Sequence, residues 1–115
     1  MEEKEIPGFG VCPFVTAQQL LSGKWALLVL HDLSNGAMRF GALQRALPRI
    51  TQATLSRQLR EMERCGLITR TVYQQIPPRV EYALTDVGQA FVPVLDELGK
   101  WGRLYIDTVL PKEGR

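Results

Sequence analysis

Residues 51–66, TQATLSRQLREMERCG, constrain the fold of this chain more than any other segment. Thr51 is a good N-cap, with a hydroxyl free to accept from an orphan amide of the first helical turn. Gly66 supplies the stop. Between them Leu55, Leu59 and Met62 step by four and three, which draws one narrow apolar stripe. The opposite face carries Ala53, Arg57, Arg60, Glu61 and Arg64, with Thr54 and Ser56 on the flanks. A helix of this kind must lay its stripe on a core and turn its arginines outward.

The segments around it supply that core. Phe14–Ser22 reads as a short helix with Val15, Ala17, Leu20 and Leu21 apolar, ended by Gly23. Trp25–Ser34 is apolar on nearly all sides, which predicts a buried central helix with Gly36 at its C-terminus. A third helix is predicted from Gly41 to Leu47, stopped by Pro48. After Gly66, Ile68–Tyr73 and Val80–Leu84 are β-type runs flanking QQIPPR, which predicts a hairpin with an extended tip. Thr85 then caps a long C-terminal helix. Its positions Val87, Phe91, Val94, Leu98, Trp101 and Tyr105 form a heptad stripe, and Pro93 should kink it. Residues 1–13 read as an arm, 14–110 as the folded domain and 111–115 as a tail. The fold class is therefore α+β, mostly α.

Composition narrows the class. At 115 residues, 45% hydrophobic and 23% charged, the chain suits one globular domain. Its longest apolar run, Trp25–Leu30, is far short of a bilayer span, and the acidic MEEKEIPGFG lacks the apolar stretch of a signal peptide. Two cysteines make no disulfide framework, so a cytoplasmic protein is expected. The net charge of +2 hides an asymmetry. From Arg39 to Arg79 there are eight arginines and two acids, a net +6, whereas the remainder holds six basic and ten acidic residues, a net −4. A basic middle of arginines suits a polyanion, because a guanidinium can fork onto phosphate or a guanine edge. A solvated charged surface fits the same count.

Short helix, tight turn, arginine-faced helix and hairpin in succession make a helix-turn-helix with a wing. In that arrangement the second helix enters the major groove and the hairpin meets the backbone or the minor groove. The candidate contacts are Gln52, Thr54, Ser56, Arg57, Arg60 and Arg64 on the helix, and Arg79 with Gln74 and Gln75 at the hairpin tip. Helix capping competes for Thr54, and pairing of Arg57 with Glu61 competes for that arginine.

The motifs CPFVTAQQLLSGKW, RFGALQRALPRIT, LSRQLREMERCGLI and PPRVEYALTDVGQAFVPVLDELGKW resemble those of HxlR-type winged helix-turn-helix regulators of bacteria and archaea. The resemblance runs from about Cys12 to Ile106, with Gly41, Ala42 and Cys65 departing from the usual pattern. It implies a homodimeric transcription factor joined through its first and last helices, binding an inverted-repeat operator, here read as a repressor. It also implies that some members sense oxidants at the position of Cys12.

Cys12 has two readings: a sensor thiol, activated by the start of the helix beside it, or a small apolar residue packed in a dimer interface. Cys65 is expected to be buried and structural. His31 and Asp32 are adjacent on a helix and so should not face one another. One histidine and two distant cysteines make no metal site, and no nucleophile set or phosphate loop is present, so neither an enzyme nor a cofactor is expected. A second function class remains: a winged-helix module whose arginine face binds an acidic protein partner. An electrophile or small-molecule effector is the expected signal for the first class.

Overall fold

A computed structural model describes residues 6–110; the outer part of the arm, residues 1–5, and the tail at 111–115 lie outside the described residues. Helix α1 (Pro13–Leu20) starts with proline at a position whose amide would have no helical partner. Cys12 is its N-cap residue, in extended conformation. No α1 residue is buried, so its apolar positions face little of this chain.

Helix α2 (Ala26–Leu33) buries Ala26, Val29, Leu30 and Leu33. Leu27 and Leu28, however, are 38% and 49% exposed, so the expected burial on nearly all sides is not observed. Apolar composition shows that a face needs cover; it does not show that the same chain supplies it. His31 and Asp32 also depart from expectation, their Nδ1 and Oδ1 approaching to 3.8 Å, with His31 exposed and Asp32 largely covered.

Strand β1 (Met38–Arg39) leads into α3 (Phe40–Ala46), and a tight turn closes with the Ile50 amide on the Leu47 carbonyl at 3.0 Å. Both turn residues are buried, at 6% for Leu47 and 4% for Ile50. Helix α4 (Gln52–Arg64) then packs Leu55, Leu59 and Met62 into the core, as its stripe predicts. Gly66 ends it at φ +83°, a backbone region open to glycine, with the Leu67 amide bonded back to Met62.

Strands β2 (Ile68–Tyr73) and β3 (Arg79–Leu84) form the predicted hairpin, Ile68 opposite Leu84 and Tyr73 opposite Arg79. The sheet has a third strand that the sequence reading did not include. Its order is β1-β3-β2, with Met38 opposite Tyr82 and Arg39 opposite Glu81. Two residues are too few to show an alternation.

The single kinked C-terminal helix is instead two: α5 (Asp86–Ala90) and α6 (Val92–Thr108). Pro93 has no amide to continue the ladder, and the chain breaks just before it at Phe91. That break divides the heptad stripe. Phe91 turns against the core, while Val87 stays on the separate short helix, 66% exposed. Among the described residues no helix is long and apolar enough to cross a membrane.

Thr85 ties α5 to the end of α4. Its hydroxyl accepts from the Gly88 amide at 3.1 Å and donates to the Gly66 carbonyl at 2.7 Å. Gly88 is buried beneath this junction, where an added Cβ would lie 2.4 Å from the Leu67 carbonyl oxygen. Gly88→Ala is therefore expected to destabilise the domain by roughly 1–3 kcal/mol. In urea unfolding this should lower the midpoint with the slope unchanged; an unaltered midpoint would contradict the close approach.

Candidate nucleic-acid interface

The site is built on α4 because its inner face is committed to the core. Thr51 caps it as predicted, its Oγ1 accepting from the Thr54 amide at 3.1 Å and donating to Thr54 Oγ1 at 2.9 Å. The Thr54 hydroxyl is thus drawn into the cap. Gln52 is exposed in the first turn. Arg57 and Arg60 are exposed one and two turns further on, and neither has an ion-pair partner among the described residues. The pairing of Arg57 with Glu61 does not form, because Glu61 is bound by Arg64 instead. Arg57 is therefore the freer of those two arginines. Ser56 is half-buried and lies toward the sheet, on the same stripe as Arg60.

Arg79 is less free than a tip residue would be. It is the first residue of β3, not part of the loop, and its guanidinium lies over the Tyr73 ring at 4.3 Å. Its Nε points inward, 3.6 Å from Glu81 Oε2, which is too long for a hydrogen bond. The side chain keeps 32% of its exposure. Gln74, Gln75, Ile76, Pro77 and Pro78 make the tip, and all are exposed.

Sequence reasoning passed over Arg70. Its signal was its place: Ile68 faces inward and is buried, so Arg70, two residues on, occupies the same face of the strand. It sits opposite Tyr82, with its Nε 3.6 Å from Glu63 Oε1.

Helix α6 carries an apolar stripe that the other described residues leave largely exposed. Leu95 is its buried residue. Val94, Leu98, Trp101 and Tyr105 are 48%, 41%, 64% and 44% exposed, and Leu104, outside the predicted stripe, is 59% exposed. The rings of Trp101 and Tyr105 lie 6.0 Å apart.

The two thiols are free, Cys12 half-buried at the start of α1 and Cys65 exposed at the end of α4. The expectation of a buried Cys65 is thus corrected: the residue sits past the last apolar position of the stripe, where the helix turns away from the core. Its thiol donates toward Glu61 Oε2 at 3.6 Å. Partial burial first, then the Glu61 carboxylate, push its pKa up, with Arg64 opposing. Among the described residues no group of three or more His, Cys, Asp or Glu side chains is placed to hold a metal ion.

A tight turn between α3 and α4, an arginine-faced second helix and a three-stranded sheet ending in a hairpin define a winged helix-turn-helix protein. The HxlR-like helix-turn-helix family model matches residues 20–109. An uncharacterized HTH-type transcriptional regulator of Methanothermobacter thermautotrophicus is 47% identical over 95 residues, covering 83% of this chain and 72% of the relative. Among solved structures, the redox regulator HypR in its reduced form is similar, with a TM-score of 0.81 and 36% identity over 88% of this chain and 99% of that one. The reduced form of the transcriptional regulator YodB from Bacillus subtilis has a TM-score of 0.73 and 31% identity, over 88% of this chain and 97% of that one. The chain belongs to the HxlR-like helix-turn-helix family of transcriptional regulators, and not to a family of enzymes.

The raised Cys65 pKa makes its thiolate scarce near neutral pH, so alkylation should be slow despite the exposure. In a Cys12→Ser background, iodoacetamide near pH 8 should react roughly twofold or more faster with Glu61→Gln than with Glu61 in place. An unchanged rate would show that the carboxylate does not hold the thiol protonated.

Proposed function

We propose that this regulator binds duplex DNA sequence-specifically as a two-fold homodimer, at an inverted-repeat operator in the cytoplasm, and that it acts there as a repressor. Residues 14–110 form the DNA-binding and dimerisation domain, flanked by the arm and the tail. Each α4 enters a major groove and each β2–β3 wing meets the neighbouring backbone or minor groove.

The observation that carries this reading is Arg57: exposed on the outward face of α4, beside Gln52 and Thr54, with no ion pair among the described residues. A base reader needs a guanidinium that is positioned yet unspent. Arg60 and Ser56 approach the backbone beside it, Arg79 the backbone at the wing, and Arg64 makes a lesser contact because Glu61 holds it. The second copy is supported by the uncovered Val94, Leu98, Trp101 and Tyr105 of α6, an apolar stripe of the kind that two-fold interfaces bury. Phe91 contributes from the core side of that helix, and Val87 from the edge.

Cys12 is assigned to signalling. It is half-buried at the N-terminal end of α1, the helix that this reading places in the dimer seam. HypR, described as a redox regulator, supports an oxidant or electrophile as effector. A small adduct at that seam would tilt one reading head against the other.

Arg57→Ala should weaken operator binding by roughly 1–3 kcal/mol and relax preference at one base pair of each half-site. Arg79→Ala should weaken all sequences alike and flatten the salt dependence by about one phosphate contact. Equal losses on operator and random DNA for Arg57→Ala would remove it as a base reader. No retention on duplex DNA at low salt would favour an acidic protein partner instead. A quinone, which adds to a single thiolate, should abolish operator binding by the unmodified protein and by Cys65→Ser, and leave Cys12→Ser unaffected. Undiminished binding of the unmodified protein after treatment would refute the thiol switch.

A further inference from the structure

A second set of donors lies at the seam between α4 and the sheet, apart from the outward face of the helix. On α4, Ser56, Arg60 and Glu63 step by four and three and form one stripe. On the sheet, Arg70 and Tyr82 are register partners, next to the buried Ile68 and its partner Leu84. The stripe and the strand pair meet around a cleft of about 320 Å³ lined by these five residues.

The chemistry inside the cleft is unbalanced. Two guanidinium groups and two hydroxyls face a single carboxylate. Glu63 reaches Arg70 at 3.6 Å, outside hydrogen-bond range, with the two side chains 39% and 46% exposed, so this pair spends little of the guanidinium's capacity. Arg60 has no ion-pair partner among the described residues. Burial, the largest effect on the Tyr82 phenol, pushes its pKa up, so it stays protonated at neutral pH and can donate. Arg70 shares the strand face of the buried Ile68, yet its side chain stays open to solvent, so an anion can reach it there.

We propose that the seam is a phosphodiester site that grips the DNA strand passing between α4 and the wing, with Arg60, Arg70, Ser56 and Tyr82 as donors. The proposal rests on the DNA-binding reading given above. Its reason is geometric. One sugar-phosphate backbone separates the major groove from the minor groove. A protein that puts a helix in one and a hairpin against the other must straddle that backbone, and this seam lies between the two elements. Glu63 then has a definite part: it lies beside Arg70 when DNA is absent, and competes with phosphate for it.

That competition gives the test its sign. Binding to a random-sequence duplex and to a selected site is measured by fluorescence anisotropy across a salt series, with thermal melts to confirm folding. Arg70→Ala should weaken both duplexes by roughly tenfold and reduce the log–log salt slope by about 1. Arg70→Lys should keep the slope with a smaller loss, since it retains the charge and gives up the fork. Glu63→Gln should tighten both duplexes severalfold, an outcome that misfolding cannot produce. If Glu63→Gln instead weakens binding as Arg70→Ala does, or if Arg70→Ala leaves the slope unchanged, Arg70 and Glu63 are a structural stitch and the seam is no phosphate site. If the unmodified protein shows no salt-dependent duplex binding, the DNA reading itself fails, a result distinct from either.

Discussion

The seating of Leu55, Leu59 and Met62 in the core, beside the strand that follows them, decides which way α4 turns its charges. All three are at most 2% exposed, in one cluster with Val29, Leu30, Leu33 and Ile68. A helix pinned along one stripe cannot rotate, so its arginines point where the stripe sends them. At one end the Thr51 cap fixes where the helix starts. At the other, Gly66 and the Thr85 hydroxyl place the sheet and α5 directly beyond it. Leu55→Ala would therefore do more than open a cavity: it would loosen the platform that aims Arg57 and Arg60.

Two surfaces leave this core unfinished, and they are unlike in kind. One is cationic and polar, with arginines that lack ion pairs within the described residues; the other is apolar and lies along α6, with Leu27 and Leu28 exposed on α2. Each is costly in isolation, the first through repulsion and the second through wet hydrophobic area. In the proposed function a polyanion answers the first and a second copy the second. The local acids temper the first surface where they can, Glu61 on Arg64 and Glu63 near Arg70, and leave Arg57 alone.

Much of this was legible in the sequence because it is written at short range. The four-three spacing of Leu55, Leu59 and Met62, the Thr51 cap and the β-type runs around Pro77 and Pro78 are each local signals, and each recurs in the structure. The misses were of relations between distant segments. Met38 and Arg39 become a strand through pairing with Tyr82 and Glu81, which no two-residue pattern announces. Cys65 was placed inside on residue type, yet its position past the stripe exposes it. Arg70 was counted as charge without regard to its face, although the alternation from Ile68 already set it on the same face of the strand as that buried residue. The exposure of α2 at Leu27 and Leu28 shows the same limit, since hydrophobicity names a need and not its partner.

The central claim is that two such heads, fixed to one another through α6, read DNA with two-fold symmetry. Selection of bound sequences from a random duplex pool, followed by footprinting, tests it most directly. The account predicts enrichment of one inverted repeat, its half-site centres a whole number of helical turns apart, with protection of both halves. Enrichment of a single unpaired half-site, or none over the starting pool, would contradict it.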